Sequence, residues 1–270
     1  MNVLVNEFPK ICCAVELGTI DYARALDLQM RICALKREDR LPDVLLLLEH
    51  PPTITLGRSG QWRNLLASEE VLRSRGVTRH ETDRGGDITF HGPGQLVGYP
   101  LLKLGPGERD VHRYMRNLEE TLIRALASCG IESHRADKLT GVWTKQGKIA
   151  AMGVHISRWI TRHGFALNVR TDLSYFDLIT PCGLVGKNVA SMESVLSKPV
   201  EMRQAIDRVI VEFGQVFDRQ MIEIGDATLF FSRNSSEQGA LPEKNRVASP
   251  ISETVTRAAR TAICTWSTSG

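Results

Sequence analysis

The stretch from Asp110 to Gly130 restricts the possible folds more than any other part of this chain. Val111, Met115, Leu118, Leu122, Ala125 and Cys129 recur at intervals of four and three, between an Asp that can cap a helix and a Gly just past its end. A helix with one apolar stripe has to lay that stripe on another apolar surface, and the neighbouring segments supply a sheet. Residues 44–48, 53–56, 142–144, 149–156 and 165–169 read as strands, with a turn at 145–147 joining two of them. Residues 21–35 follow a helical period behind Thr19 or Asp21 as cap. Ser68 caps a short helix with Glu69 and Glu70 in its first turn and Gly76 as its stop. Residues 201–220 form a last amphipathic helix, apolar at Ile206, Val209, Ile210, Phe213 and Phe217. The expected class is α+β, a sheet with packed helices, without the regular alternation of a doubly wound fold.

Composition narrows the function more by exclusion than by suggestion. The chain has 270 residues, 42% hydrophobic and 24% charged, as expected of a globular protein with a real core. Its longest aliphatic run, residues 44–48, is far too short to span a membrane, and residues 1–10 carry no apolar or Arg-rich leader pattern; the expected location is the cytoplasm. Six cysteines without a CxxC pair suggest reduced thiols, neither a disulfide framework nor a metal site. A net charge of +3 gives no case for nucleic acid. Residues 232–270 hold seven Ser and five Thr with few large apolar side chains. They read as a disordered tail behind a catalytic body of residues 1–231, the alternative being a short docked helix over 252–263.

Three segments can carry chemistry. Residues 84–100 read RGGDITFHGPGQLVGYP, with five glycines in fifteen residues, Gly85, Gly86, Gly92, Gly94 and Gly98. Backbone there must turn sharply or approach a ligand closely, with Arg84 and His91 offering a cation and a titratable ring; a hairpin with glycine turns is the plainer reading. The phosphate-cradling spacings GxGxxG and GxxxxGK[ST] do not occur here. Cys182 lies between Pro181 and Gly183, whose amide could face a developing oxyanion, although a lone Cys is more often a buried hydrophobe. A catalytic thiol needs a charge to hold it as thiolate, and Lys148 can supply one. It opens a run, KIAAMGVHIS, in which Ala150, Ala151 and Gly153 leave room for a linear substrate.

Arg84–Gly85–Gly86, Thr89–Phe90–His91 and Gln95, Lys148 with the following IAAMG, HGFALN at 163–168, and Pro181–Cys182–Gly183 together resemble the octanoyltransferases of lipoate biosynthesis, across about residues 22–196. Ala190–Ser191–Met192 and the Ser/Thr-rich tail depart from the family pattern. The resemblance implies a biotin/lipoate protein ligase-like fold, related to class II aminoacyl-tRNA synthetase cores. It implies an acyltransferase, octanoyl-acyl carrier protein:protein N-octanoyltransferase, needing no cofactor and no metal. The donor would be octanoyl-acyl carrier protein, and the acceptors lipoyl domains of 2-oxoacid dehydrogenase complexes and the glycine cleavage H protein. The family's Cys/Lys dyad carries over to Cys182 and Lys148, with two roles open for the lysine, an ammonium that stabilises the thiolate or, once deprotonated, a base toward the incoming amine. Its acyl-binding segments carry over to Arg84, Gly85, Gly86, Asp87, Ile88, Thr89, Phe90 and His91; to Ala151, Met152 and Gly153; and to Gly164, Phe165 and Ala166. The residues by themselves leave rivals open: an ATP-dependent ligase of the same fold, a cysteine hydrolase, or an acyl-carrier-protein binding module without turnover.

Overall fold

The computed structural model describes residues 10–180 and 188–226. The chain runs β1 (Lys10–Thr19), α1 (Tyr22–Arg37), β2 (Asp43–Glu49), β3 (Thr53–Leu56), α2 (Glu69–Ser74), β4 (Thr78–Glu81), β5 (Ile88–His91), β6 (Gln95–Leu101), α3 (Val111–Ser128), β7 (His134–Ala136), β8 (Leu139–Thr144), β9 (Gly147–Ser157), β10 (Ile160–Asn168), α4 (Met192–Leu196), α5 (Met202–Phe217) and β11 (Arg219–Asp226). Eight strands form one mixed sheet in the order β11-β1-β2-β6-β10-β9-β8-β7, and three form a second in the order β4-β3-β5. The first sheet is parallel at β11-β1-β2 and antiparallel from β2 to β7. This is the α+β architecture expected.

Alternation along the strands sorts the core into two layers. Leu45, Leu47, Leu96, Phe165 and Leu167 join the α3 and α5 side chains, whereas Val44, Leu46, Val97, Tyr99 and Ala166 join Ala25, Leu28 and Ile32 of α1. Residues 44–48 are apolar without interruption because β2 is buried on both faces. A third cluster, Ile54, Leu56, Leu72, Ile88 and Phe90 with Leu178 and Ile179, holds the small sheet together.

Local chemistry set most helix boundaries. Asp21 accepts from the amides of Ala23 and Arg24 at the start of α1, and Ser68 and Asp110 do the same for Val71 and Arg113. Two expectations need correction. Val111 is exposed and Tyr114 takes its place on the buried stripe of α3, where its ring packs against Phe217 of α5. The helix expected over 201–220 ends at Phe217: Asp218 turns left-handed at φ 52°, and Arg219 enters β11 beside β1. Arg219 is drawn there by Asp43, 2.9 Å from its Nε, and Glu108, 2.7 Å from Nη1. The glycine-rich stretch is not a hairpin paired with itself. β5 belongs to the small sheet and β6 to the large one, so the turn at 92–94 carries the chain between sheets. Residues 232–270, expected as a tail, lie outside the described residues. No helix of the described residues is long and apolar enough to cross a membrane.

Candidate functional site

Where the small sheet meets the large one, an open cleft of about 710 Å3 follows strands β9 and β10. Its floor pairs Ala151 with Ala166, Met152 with Phe165 and Gly153 with Gly164. One wall is the glycine-rich segment, through Arg84, Gly86, Asp87, Ile88, Thr89 and His91, and Lys148 lines the same cleft five residues before Gly153. Five residues of strand span roughly 16 Å, a groove suited to a linear, mostly apolar ligand.

A β-bulge aims Lys148 into this space. Val142 pairs with Ala150 and Trp143 with Lys148, so Ile149 is the extra residue. Ile149 and Ala150 both sink into the core on the α3 side, while Lys148 and Ala151 both face the cleft. Lys148 is further fixed through its backbone, whose amide donates to Asn188 O at 2.9 Å and whose carbonyl accepts from Ala190 N at 2.9 Å.

The β8–β9 register runs from Gly147 to Ala150, and further along β9 the glycine loop approaches: the Gly85 amide donates to Val154 O at 2.9 Å. A Cβ on Gly153 would lie 2.7 Å from Gly85 O and 3.1 Å from Arg84 Cδ. Gly153 is therefore small so that this loop can cross it, a closer constraint than the ligand room expected from sequence. Gly85 itself serves as backbone anchor and does not line the cleft. Phe90 does not line it either. Its ring stacks on Tyr175 at 4.7 Å and belongs to the small-sheet core, which it shares with Ile88, although Ile88 also lines the cleft.

Behind the wall a buried polar chain links the loop to the strand. Arg84 Nη2 donates to Thr55 O at 2.8 Å and to Thr55 Oγ1 at 2.9 Å, and Thr55 Oγ1 lies 3.4 Å from His91 Nε2. His91 Nδ1 meets Gln95 Oε1 at 2.9 Å, Gln95 Nε2 donates to Asn168 Oδ1 at 2.9 Å, and Asn168 Nδ2 donates to Ala190 O at 3.0 Å. Ala190 is the residue bonded to Lys148. Burial, reinforced by the charges of His50 and Arg84, holds the His91 pKa well below the usual histidine value, so the ring is neutral near pH 7. Among the described residues, no three His, Cys, Asp or Glu side chains come together so as to hold a metal ion.

The cleft also contains residues that the sequence did not single out: Tyr22, Tyr99, His163, Phe176 and Val189. His163 has a left-handed backbone, φ 55°, which departs from plain strand alternation. Its Nε2 lies 2.9 Å from Asp83 Oδ1, and burial lowers its pKa to about 4 although Asp83 opposes the shift. Its place at the head of HGFALN was the available signal. Tyr22 and Tyr99 gave none, since both looked like ordinary core aromatics.

Cys182, with Pro181 and Gly183, lies outside the described residues. Its flanks are described: the Thr180 amide donates to Asn64 O at 2.7 Å, and Val189, in the cleft, bridges to Lys148.

Comparison with known proteins gives consistent matches. The family model for the lipoyl protein ligase A/B catalytic domain matches residues 21–214. The octanoyltransferase of Solibacter usitatus is 55% identical over 184 residues, 68% of this chain and 83% of that protein. That of Rubrobacter xylanophilus is 52% identical over 196 residues, 72% of this chain and 87% of its own. Among solved structures, a bipartite lipoate protein ligase from Thermoplasma acidophilum aligns at TM-score 0.64 and 14% identity, covering 96% of this chain and 95% of that one. A lipoate-protein ligase A bound with ATP aligns at TM-score 0.63 and 14% identity, covering 97% of each. At these identities the structural likeness is one of fold, and it is the ligase-like fold expected.

Proposed function

The chain belongs to the lipoyl protein ligase A/B catalytic domain family, and from that premise we propose that it is an octanoyltransferase of protein lipoylation. It moves an octanoyl group from a thioester on acyl carrier protein to a lysine amine of lipoyl domains, such as those of 2-oxoacid dehydrogenase complexes and the glycine cleavage H protein. The observation that carries the reading is the cleft. A lysine, a glycine-rich wall and a floor of small residues meet in one groove, in a chain that over its aligned 184 to 196 residues is 52 to 55% identical to octanoyltransferases.

The reaction follows from what these groups can do. The Cys182 thiolate attacks the donor's thioester carbonyl, the tetrahedral oxyanion collapses, the carbon–sulfur bond to the carrier breaks, and the carrier's thiolate leaves and takes a proton from water. The neutral amine of the acceptor lysine then attacks the cysteine thioester, forming an amide, losing a proton and returning Cys182 as thiolate. The first exchange is nearly balanced and the second runs downhill, so no ATP is consumed. Lys148 as ammonium stabilises the thiolate, since an unperturbed thiol with a pKa near 8.5 is only a few per cent ionised at neutral pH. About seven chain carbons beyond the carbonyl give at most roughly 5 to 6 kcal/mol of apolar burial at about 0.8 per methylene. Loss of ligand freedom offsets part of this.

Intact-mass measurement of the protein mixed with octanoyl-acyl carrier protein tests the proposal. A hydroxylamine-sensitive octanoyl adduct on Cys182 should form without ATP and vanish when unmodified lipoyl domain is added, with octanoyl-lysine as product. Transfer that survives Cys182→Ala and requires ATP would overturn it in favour of a ligase. Free octanoate in the presence of lipoyl domain would point to a hydrolase.

A further inference from the structure

The side chain of Lys148 rests in a seat built by its neighbour strand. Its amine lies 5.5 Å from the centroid of the Trp143 ring, and Trp143 is its register partner on β8. The aliphatic stem crosses Gly141: a Cβ there would fall 2.5 Å from Lys148 Cε and 3.2 Å from Nζ. Gly141 has φ 131°, which L side chains rarely adopt, and its amide donates to Glu119 Oε1 at 3.1 Å. Glu119 is a buried carboxylate of α3, itself held by Arg116 at 2.7 Å and Arg135 at 3.2 Å. Trp143 is buried and faces His134 across the β7–β8 pair. The indole is thus buried, with the Lys148 amine 5.5 Å from its centroid in the cleft.

An aromatic face attracts an ammonium and has no comparable attraction for a neutral amine. A seat of this kind holds lysine in one place and in one charge state. We propose that Trp143, together with the gap at Gly141, is a positioning residue that keeps Lys148 at the cleft as a cation, so that the lysine acts as the fixed charge of the transfer reaction. The inference rests on the Cys182–Lys148 reading above. Charged or titratable groups around this seat include Glu119 bonded to the Gly141 amide, His134 paired with Trp143 across β7–β8, and Arg84, Asp87, His91, His163, Tyr22 and Tyr99 in the cleft. The segment after Cys182 contributes backbone through Asn188 and Ala190.

The test is the pH dependence of Cys182 alkylation by iodoacetamide in the full-length protein, located by peptide mass mapping, together with the rate of octanoyl adduct formation at pH 7. Trp143→Leu should raise the alkylation midpoint by about half to one pH unit and slow octanoylation about tenfold at pH 7, with recovery toward the wild-type rate at high pH. Trp143→Phe, which keeps an aromatic face, should fall between. A Trp143→Leu protein with the wild-type midpoint, or one slowed equally at every pH, overturns the proposal, since a merely structural role would do the latter. Lys148→Ala separates the two readings. If it moves the midpoint and Trp143→Leu does not, the dyad stands and the seat is wrong; if neither moves it, the dyad itself fails. Should the Trp143 variants not fold, the wild-type protein decides. Ring current from the indole should shift the Lys148 ε-methylene NMR signals upfield, and unshifted signals would overturn the seat.

Discussion

The two faces of the eight-stranded sheet solve different problems. On the face covered by α3 and α5 the core is a broad apolar cluster, from Leu118 and Leu122 to Val209, Phe213 and Phe217, with its buried charges held in ion pairs, Glu119 by Arg116 and Arg135 and Asp43 by Arg219. On the other, beside α1 and the small sheet, the buried set includes His50, Thr55, Arg84, His91, Gln95, His163 and Asn168. His50 bridges Ile20 O and Tyr99 Oη at 2.7 Å each, and the Arg84-to-Asn168 chain pairs the loop with the strand. An apolar face tolerates small shifts, because dispersion has no direction. A hydrogen-bonded face does not, because each group is costly when left unpaired. One face supplies stability and the other holds a groove in a defined shape.

Four substitutions or titrations would break or sharpen that contrast. The largest effect is expected from Phe213→Ala, which empties a fully buried site in the helical face and should lower unfolding free energy by about 3 to 5 kcal/mol in urea titrations, while the folded fraction keeps its turnover number. Next, Gln95→Leu strands His91 Nδ1, Phe90 O and Asn168 Oδ1. It should cost about 2 to 3 kcal/mol and, unlike Phe213→Ala, also reduce turnover of the folded enzyme. Equal turnover losses in the two variants would erase the division of labour.

Titration comes third. His50 and His163 are held to about 4 by burial, and His91 well below its usual value. The unfolded chain takes up these protons first, near pH 6.5, so the stability contributed by the neutral rings is complete above that pH and is lost as pH falls toward 4. The expected slope is about 1.4 kcal/mol per pH unit for each ring. Asp83, held low mainly by the His163 hydrogen bond and Arg162 against its partial burial, loses its contribution only at lower pH. His163→Gln should remove about one proton from the uptake on unfolding between pH 6.5 and 4, measured by urea titrations at several pH values, whereas Phe213→Ala should leave it unchanged.

The smallest effect concerns chain length. Ala151 faces Ala166 across the cleft floor, so Ala151→Val should move the hexanoyl-to-octanoyl rate ratio by about tenfold, the range that a methylene or two can discriminate. Gly153→Val, at another small floor residue, should instead slow both substrates alike, because its side chain would strike Gly85 O at 2.7 Å. A ratio change in Gly153→Val with an unmoved loop would contradict that account.

Much of the site was legible one segment at a time. The glycine wall, Lys148 and the small floor residues were each visible as departures from ordinary composition, and they do share a cleft. Phe90, named by the motif between Thr89 and His91, sits in the small-sheet core against Tyr175. Tyr22 and Tyr99 gave no local signal, since nothing in the neighbouring sequence separates a core aromatic from one at a groove, whereas His163 stood at the head of HGFALN.

What the chain's order of residues determined unaided was local: the caps at Asp21, Ser68 and Asp110, the helical periods, the strand runs and the turn at 145–147. These depend on groups a few residues apart, whose hydrogen bonds and packing can be read from spacing. Tertiary structure alone decided that β5 and β6 enter different sheets, that α5 stops so that Arg219 can reach Asp43, and that a bulge at Ile149 turns Lys148 toward the cleft. Each of these is settled by a partner distant in sequence, and a partner's position is known only once the whole chain has packed.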